Sequence, residues 1–69
     1  MYYELNVKAT NLAMIKKGYS INQLSKFSGV SKATLSRTLN KETSATPKTI
    51  YKIAQALDVE IEDLLIEIK

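Results

Sequence analysis

The chain lacks the residues that most often build covalent cross-links and metal sites. Its 69 residues include no cysteine, histidine or tryptophan, and only two glycines, one proline and one phenylalanine. Without cysteine no disulfide framework can form, and without cysteine or histidine the usual soft ligands of a zinc site are missing. We therefore expect no metal, no other cofactor, and no catalytic site built on histidine or cysteine.

Long apolar runs are also missing. No segment approaches the roughly 20 apolar residues of a membrane-spanning helix, and the first residues, Met-Tyr-Tyr-Glu, do not have the pattern of a secretory signal. The lack of disulfides fits a reducing compartment. The sequence therefore predicts a soluble cytoplasmic protein with no membrane partner, folded as one domain over residues 1–69.

An enzymatic function finds no support. The sequence has no glycine-rich phosphate-binding loop. Paired acidic residues occur only near the C-terminus, where an exposed acidic helix is expected. We therefore expect a non-enzymatic protein with no catalytic residues.

What the chain does have is a separation of charge. Between residues 8 and 52 there are nine basic residues and one acid, Glu42, whereas residues 58–69 contain five acids and one lysine. A basic region attracts polyanions, and an acidic end is repelled by them. Charge alone therefore favours nucleic acid as a partner of the basic region, with ordinary solvated helix surfaces as the alternative.

The scarcity of glycine and proline and the spacing of apolar residues predict an all-α fold, a compact bundle of five helices. The first helix is predicted at about residues 5–17, ending at Gly18, with an inner face of Leu5, Ala9, Leu12 and Ala13. The fourth begins at Thr46 and Pro47, because proline is favoured at the first helical position, and its inner stripe is Ile50, Ile53, Ala54 and Leu57. A short last helix is expected at about residues 60–67.

The most informative segment is residues 20–40. Ser20 and Gln23 have the spacing of a capping box, Gly29 suits the left-handed residue that ends a helix, and Ser31 can cap the next one. The predicted inner faces are Ile21, Leu24 and Phe27 in the first helix, and Leu35 with Thr38 or Leu39 in the second. Two helices joined in this way form a helix-turn-helix, which places its second helix in the major groove of DNA.

From about residue 9 to Leu65, nearly the whole chain resembles the lambda-repressor-like (Cro-type, Xre-like) five-helix DNA-binding domain. The resemblance rests on an ordered set of short matches: Gly18-Tyr19-Ser20, Leu24-Ser25, Ser28-Gly29-Val30-Ser31, Leu35-Ser36-Arg37, Ile50, Ile53-Ala54, Ala56-Leu57 and Val59. It implies that the helix at about residues 32–40 reads the major groove of double-stranded DNA.

The resemblance also implies which residues meet DNA. Arginine and lysine can donate to guanine, and an alanine can contact a thymine methyl group. The implied base contacts are Lys32, Ala33, Ser36 and Arg37. The expected phosphate contacts, which supply much of the affinity, are Ser31, Thr34, Asn40, Lys41 and Lys48. Gln23 is added to them as a substitute for residue 21, on condition that its helix shifts or its capping role is given up.

Three positions depart from the family pattern. Ile21 stands where a phosphate-binding glutamine is usual, and Lys41 stands where glycine is common. Ser25 replaces the usual alanine at the contact between the two helices, and its hydroxyl needs a hydrogen-bond partner. These departures leave the predicted fold intact and predict weaker or differently arranged phosphate contacts.

The C-terminal segment has more apolar residues than one short helix can bury. Members of the family often dimerise through this region, and a dimer spans two half-sites about 34 Å apart. We therefore expect a homodimer, with an interface of Ile61, Leu64, Leu65 and Ile68. One alternative is that Leu64 and Leu65 complete the core while Ile66 and Ile68 fray or form a strand. Another is that the apolar patch receives a different protein.

Two functions stay open at this level. The first is a sequence-specific DNA-binding transcriptional regulator of phage-repressor type. The second is a protein-interaction regulator with the same fold, an antirepressor or antitoxin, whose recognition-helix surface binds a partner repressor or toxin. The two differ in whether DNA or a second regulatory protein is the main partner.

Overall fold

The computed structural model describes residues 2–40 and 45–68, which form five helices and two short strands. In chain order these are β1 (Tyr2–Leu5), α1 (Val7–Lys17), α2 (Ile21–Ser28), α3 (Lys32–Leu39), α4 (Pro47–Leu57), α5 (Ile61–Leu64) and β2 (Leu65–Ile68). The five predicted helices are confirmed, and the two strands are an addition to the all-α prediction.

The helices surround one apolar core. α2 packs on α3 and α4, and α1 packs on α4 and α5. The most deeply buried side chains, each less than 2% exposed, are Leu5, Thr10, Leu24, Leu35, Ile50, Ile53, Leu57 and Leu64. The predicted inner stripe of α4 is confirmed, because Ile50, Ile53, Ala54 and Leu57 are all buried.

The helix ends follow the local signals in the sequence. Ser20 and Gln23 form a reciprocal capping box: the Ser20 hydroxyl accepts from the Gln23 amide at 3.3 Å, and Gln23 Oε1 accepts from the Ser20 amide at 2.9 Å. Gly18 and Gly29 end α1 and α2 with φ of +70° and +75°. Pro47 occupies the start of α4, and the Thr46 hydroxyl accepts from the Thr49 amide at 3.2 Å.

The first helix differs from its prediction in start and orientation. It begins at Val7, because the Asn6 side chain caps it by accepting from the Ala9 amide at 3.1 Å, and Leu5 belongs to β1 instead. Leu12, predicted on the inner face, is 53% exposed. The buried residues of α1 are Thr10, Ala13 and Met14.

The last predicted helix is also different. A single helical turn, α5, is followed at once by β2, which pairs antiparallel with β1 in the register Leu5↔Leu65, Glu4↔Ile66 and onward to Tyr2↔Ile68. The amide of Asn6 donates to the carbonyl of Leu64 at 2.7 Å, which joins the two ends of the domain. The strand that was the alternative for residues 66 and 68 is therefore the observed structure.

Two predicted side-chain positions are wrong. Phe27, predicted on the inner face of α2, is 56% exposed and stacks on Tyr19 with ring centroids 5.1 Å apart. Leu64, predicted in the dimer interface, is 1% exposed and packs in the core of its own chain. A side chain enclosed in this way has no surface to offer a second copy.

Candidate nucleic-acid interface

The turn between α2 and α3 is held by side chains on both sides of it. Gly29 adopts the left-handed conformation, and its amide donates to the Ser25 carbonyl at 3.0 Å. The Ser25 hydroxyl donates to the carbonyl of Val30 at 2.7 Å, and the amide of Val30 donates to the Ser28 hydroxyl at 3.2 Å. The partner that the Ser25 hydroxyl requires is thus the turn itself, which fixes how α3 leaves α2.

The burial of α3 determines which residues it presents to solvent. Leu35 and Thr38 are buried on its inner side, at 0% and 3% exposure, and Leu39 is half-buried. Because residues three and four apart share a helix face, the opposite side is the one available to a ligand. That side carries all four predicted base-contacting residues: Lys32, Ala33 and Arg37 are exposed, and Ser36 is half-buried.

Two predicted phosphate contacts lie at the beginning of α3 and interact with each other. The Ser31 hydroxyl caps the helix by accepting from the Thr34 amide at 3.2 Å, and it also donates to the Thr34 hydroxyl oxygen at 2.8 Å. One hydroxyl proton of the pair is therefore used internally, and either hydroxyl can supply it because both protons rotate. The other proton stays available to an acceptor, so the pair as a whole can donate one hydrogen bond to a phosphate.

The side chain of Gln23 has two separate functions available to it. Its Oε1 is occupied by the capping box, but its amide nitrogen carries two hydrogens that the cap does not use. The residue is exposed. Capping therefore leaves the amide hydrogens of Gln23 free to donate, so the capping role need not be given up for a phosphate contact. Ile21, at the usual position of the phosphate-binding glutamine, is half-buried against the core.

The remaining predicted phosphate contacts are spread over the end of α3 and the start of α4. Asn40 is exposed and ends α3 with φ −89° and ψ 3°, so it is not in the left-handed conformation that an asparagine cap often takes. Lys48 is exposed at the second position of α4. Lys41 lies outside the described residues.

The electrostatics of this surface favour an anion. No acidic residue occurs between Glu4 and Glu42, so α2 and α3 contribute only positive charges: Lys26, Lys32 and Arg37. The three are exposed. An approaching polyanion therefore meets basic side chains and hydroxyl donors together, without carboxylates nearby in sequence.

An exposed apolar surface on α1 was not predicted from the sequence. Leu12 and Ile15 are 53% and 75% exposed, the latter being the highest exposure among the large apolar side chains of the described residues. The signal was present in the spacing, since Lys8, Leu12 and Ile15 recur at intervals of four and three residues along the chain. It was obscured because Leu12 also fits an inner stripe with Leu5 and Ala9.

This fold and surface define a helix-turn-helix DNA-binding domain. The family model described as helix-turn-helix matches residues 12–64, and the chain therefore belongs to that family, whose Xre/Cro/lambda-repressor-like members are DNA-binding regulators rather than enzymes. No curated protein matches the sequence closely enough to be counted as a relative.

A solved structure confirms the architecture. The chain is similar to the restriction-modification controller protein C.AhdI from Aeromonas hydrophila, with a TM-score of 0.76 and 23% sequence identity. The match covers 83% of this chain and 86% of the controller protein. At this identity the similarity establishes the fold of the chain. In the described residues, no helix is both long enough and apolar enough to cross a membrane.

Proposed function

We propose that the protein is a sequence-specific transcriptional regulator that reads the major groove of double-stranded DNA with α3 and acts in the manner of a phage repressor, by occupying an operator. The observation that carries this proposal is the exposed face of α3, where Lys32, Ala33, Ser36 and Arg37 lie opposite the buried Leu35 and Thr38. Base-edge donors on one accessible helix face are what major-groove readout requires.

The composition of the same face argues against the alternative function. An antirepressor or antitoxin that used α3 to bind a protein would need large, desolvated anchors, which at protein interfaces are typically aromatic or apolar side chains around arginine. The exposed face of α3 offers only Ala33 as an apolar residue, and its other members are charged or carry hydroxyls. This composition fits a polar, charged ligand better than a protein surface.

We also propose that the protein works as a homodimer in the cytoplasm, joined through its C-terminal segment. Within residues 2–40 and 45–68, β2 pairs with β1 along one edge and has no strand partner along the other. Ile66 on β2 is 40% exposed, and two nearby apolar residues are half-buried: Leu65, next to it in sequence, and Ile61 at the start of α5. The side chain of Ile68, another predicted interface residue, lies outside the described part of the structure, and Ile66 takes the place of the buried Leu64 in the proposed interface.

The proposal is tested by selecting bound sequences from a random double-stranded DNA pool at physiological salt. A DNA-reading regulator enriches one motif, and a two-fold dimer enriches two copies of it about one helical turn apart. Binding that never exceeds the nonspecific level for any selected sequence contradicts the proposed function. Recovery of a single, unrepeated half-site supports DNA readout and contradicts the dimer.

A further inference from the structure

The exposed residues of α3 point in different directions, and Ala33 and Arg37 point most directly away from the core. An α-helix turns by about 100° per residue, and the buried side chains of Leu35 and Thr38 define its inward direction. By this count Ala33 lies within about 10° of the opposite, outward direction, and Arg37 lies about 50° from it. Ser36 lies about 50° to the other side, but it is half-buried, whereas Ala33 and Arg37 are exposed. These two residues therefore form the centre of the accessible face.

Lys32 and Thr34 lie at the two edges of this face. They are exposed, at about 90° to one side of the outward direction and about 110° to the other. The major groove is about 12 Å wide and a helix with its side chains is about 10–12 Å across, so the edges of a docked helix lie against the sugar-phosphate walls and its centre meets the base edges. Asn40 is close to the outward direction as well, but it follows the last helical residue, and recognition helices contact bases with their N-terminal part.

The chemistry of the central pair restricts the bases that it can recognise. The Ala33 side chain is a methyl group, which neither donates nor accepts, and a polar base edge buried against it would lose a hydrogen bond to water. The C5-methyl group of thymine is the apolar feature that the major groove offers. The Arg37 guanidinium has only donors and no acceptor, which matches the acceptors O6 and N7 of guanine. Ala33 therefore favours thymine, and Arg37 favours guanine.

The helix also sets the spacing of the two bases. Ala33 and Arg37 are one helical turn apart, a rise of about 6 Å, and stacked base pairs are about 3.4 Å apart. We propose that the operator half-site contains a thymine whose methyl group packs on Ala33 and, about two base pairs away, a guanine that accepts from Arg37. Lys32 binds a backbone phosphate on the groove wall. This inference rests on the proposed DNA-reading function and adds to it the bases that are read.

Base analogues test the two contacts separately. The duplex enriched from the random DNA pool is synthesised with deoxyuridine in place of each thymidine in turn, which removes only the methyl group. In a second series 7-deazaguanine replaces each guanine, which removes the N7 acceptor. We expect one thymine position where the full chain binds about fourfold more weakly, the effect of one buried methyl group, and one guanine position, about two base pairs away, with a loss of about tenfold. Hypoxanthine in place of that guanine keeps both major-groove acceptors and should change binding little.

Variants of α3 then assign each base to its residue. Ala33→Gly should remove the difference between thymine and uracil, and Arg37→Ala should remove the effect of 7-deazaguanine. Ala56→Gly, which loses the same methyl group near the end of α4, is the matched control and should keep both effects. Lys32→Ala should reduce by about one the magnitude of the slope of log binding constant against log salt concentration, and it should leave the base preferences unchanged. Circular dichroism checks that each variant keeps its fold.

Three results would overturn the assignment of bases while leaving DNA readout intact. A selected motif in which no thymine responds to the loss of its methyl group contradicts the contact of Ala33. A guanine effect that persists in the Arg37→Ala protein assigns that guanine to another residue. A changed base preference of the Lys32→Ala protein places Lys32 on a base. If instead no motif is enriched at all, the proposed function itself fails, and the inference fails with it.

Discussion

At the scale of single residues, Arg37 should determine the base preference at one position of the operator. Lys48 should instead contribute equally to the affinity for DNA of any sequence. Arg37 is exposed on α3, and a guanidinium that donates to one guanine contributes discrimination at that base pair only. Arg37→Ala should therefore weaken operator binding by about 1–3 kcal/mol and relax the preference at one position.

Lys48→Ala should reduce by about one the magnitude of the slope of log binding constant against log salt concentration, because one phosphate contact is lost. The selected motif should not change.

Binding curves at several salt concentrations, together with repeated selections, measure both effects. Lys8→Ala is the matched control, since it removes one positive charge from α1 rather than from α3 or α4. An Arg37→Ala protein that selects the same motif with undiminished preference would show that Arg37 contacts no base.

Gly29 ends α2 in the left-handed conformation, at the turn of the helix-turn-helix. Its φ of +75° is unfavourable for residues with a side chain, yet a Cβ added there would meet no atom within 4 Å. The cost of Gly29→Ala is therefore conformational rather than steric, about 1–2 kcal/mol of the free energy of unfolding. Urea unfolding followed by circular dichroism measures it.

Gly29→Asn provides the matched comparison at the same position. Asparagine tolerates the left-handed conformation better than alanine does, so its loss of stability should be smaller. Equal losses for the two variants would show that the cost has a different origin from the backbone conformation.

At the scale of the element, the α2–α3 turn is joined to α2 by the hydrogen bond from the Ser25 hydroxyl to the Val30 carbonyl, 2.7 Å long and partly buried. Ser25→Ala should cost about 0.5–1.5 kcal/mol, because it leaves that carbonyl without this donor. Alanine is also the better helix former, which offsets part of the loss. Asn22→Ala, at an exposed position of the same helix, gains the same propensity without losing this bond.

The comparison of these two variants isolates the hydrogen bond, and urea unfolding again supplies the free energies. If Ser25→Ala is as stable as Asn22→Ala, then the Ser25 hydroxyl does not stabilise the turn. DNA binding of the Ser25→Ala protein, measured well below its unfolding transition, additionally reports whether α3 keeps its orientation.

The helices and strands differ in how accurately the sequence predicts them. Elements that depend on contacts between residues close in sequence were predicted well, and those that depend on distant residues were not. The caps at Ser20, Ser31 and Thr46 each involve residues three apart, so a short stretch of sequence contains the whole signal. The buried face of α3 was also predicted correctly. The helix has few apolar residues, so only one orientation places them in the core. The predictions failed where distant parts of the chain decide the outcome.

The two-stranded sheet is the clearest example of such a failure. β2 forms because β1 pairs with it, and the register joins Leu5 to Leu65 and Tyr2 to Ile68, more than 50 residues along the chain. Neither four-residue strand has a recognisable alternation of its own, and the same apolar residues fit a helical stripe. The position of Leu12 was predicted wrongly for a similar reason. The inner face of α1 is determined by its cap and by the elements that pack on it, which lie elsewhere in the chain.

At the scale of the whole molecule, the dimensions are consistent with one domain serving one half-site. The long axis of the described residues is 33 Å, close to the roughly 34 Å between half-sites one helical turn apart. The charges of the two regions differ in sign: the acidic residues after α4 belong to the C-terminal segment, which includes the proposed dimer interface, and the basic residues of α2 and α3 belong to the helix-turn-helix. A dimer joined at β2 would therefore bring acids of both copies near the joint, and the apolar contacts of the interface must exceed this like-charge repulsion.

Ile66→Lys should separate dimerisation from folding. The side chain is 40% exposed on a strand with one unpaired edge within the described residues, so a lysine there is tolerated by the monomer but disfavours edge-to-edge pairing. We expect sedimentation to show a monomer with an unchanged circular dichroism spectrum. Binding to a two-half-site operator should weaken to near that of a single half-site, because the second contact is no longer intramolecular. The control is Ile15→Lys, which adds the same charge on α1 and should stay dimeric. If the Ile66→Lys protein still dimerises, the proposed interface at β2 is wrong.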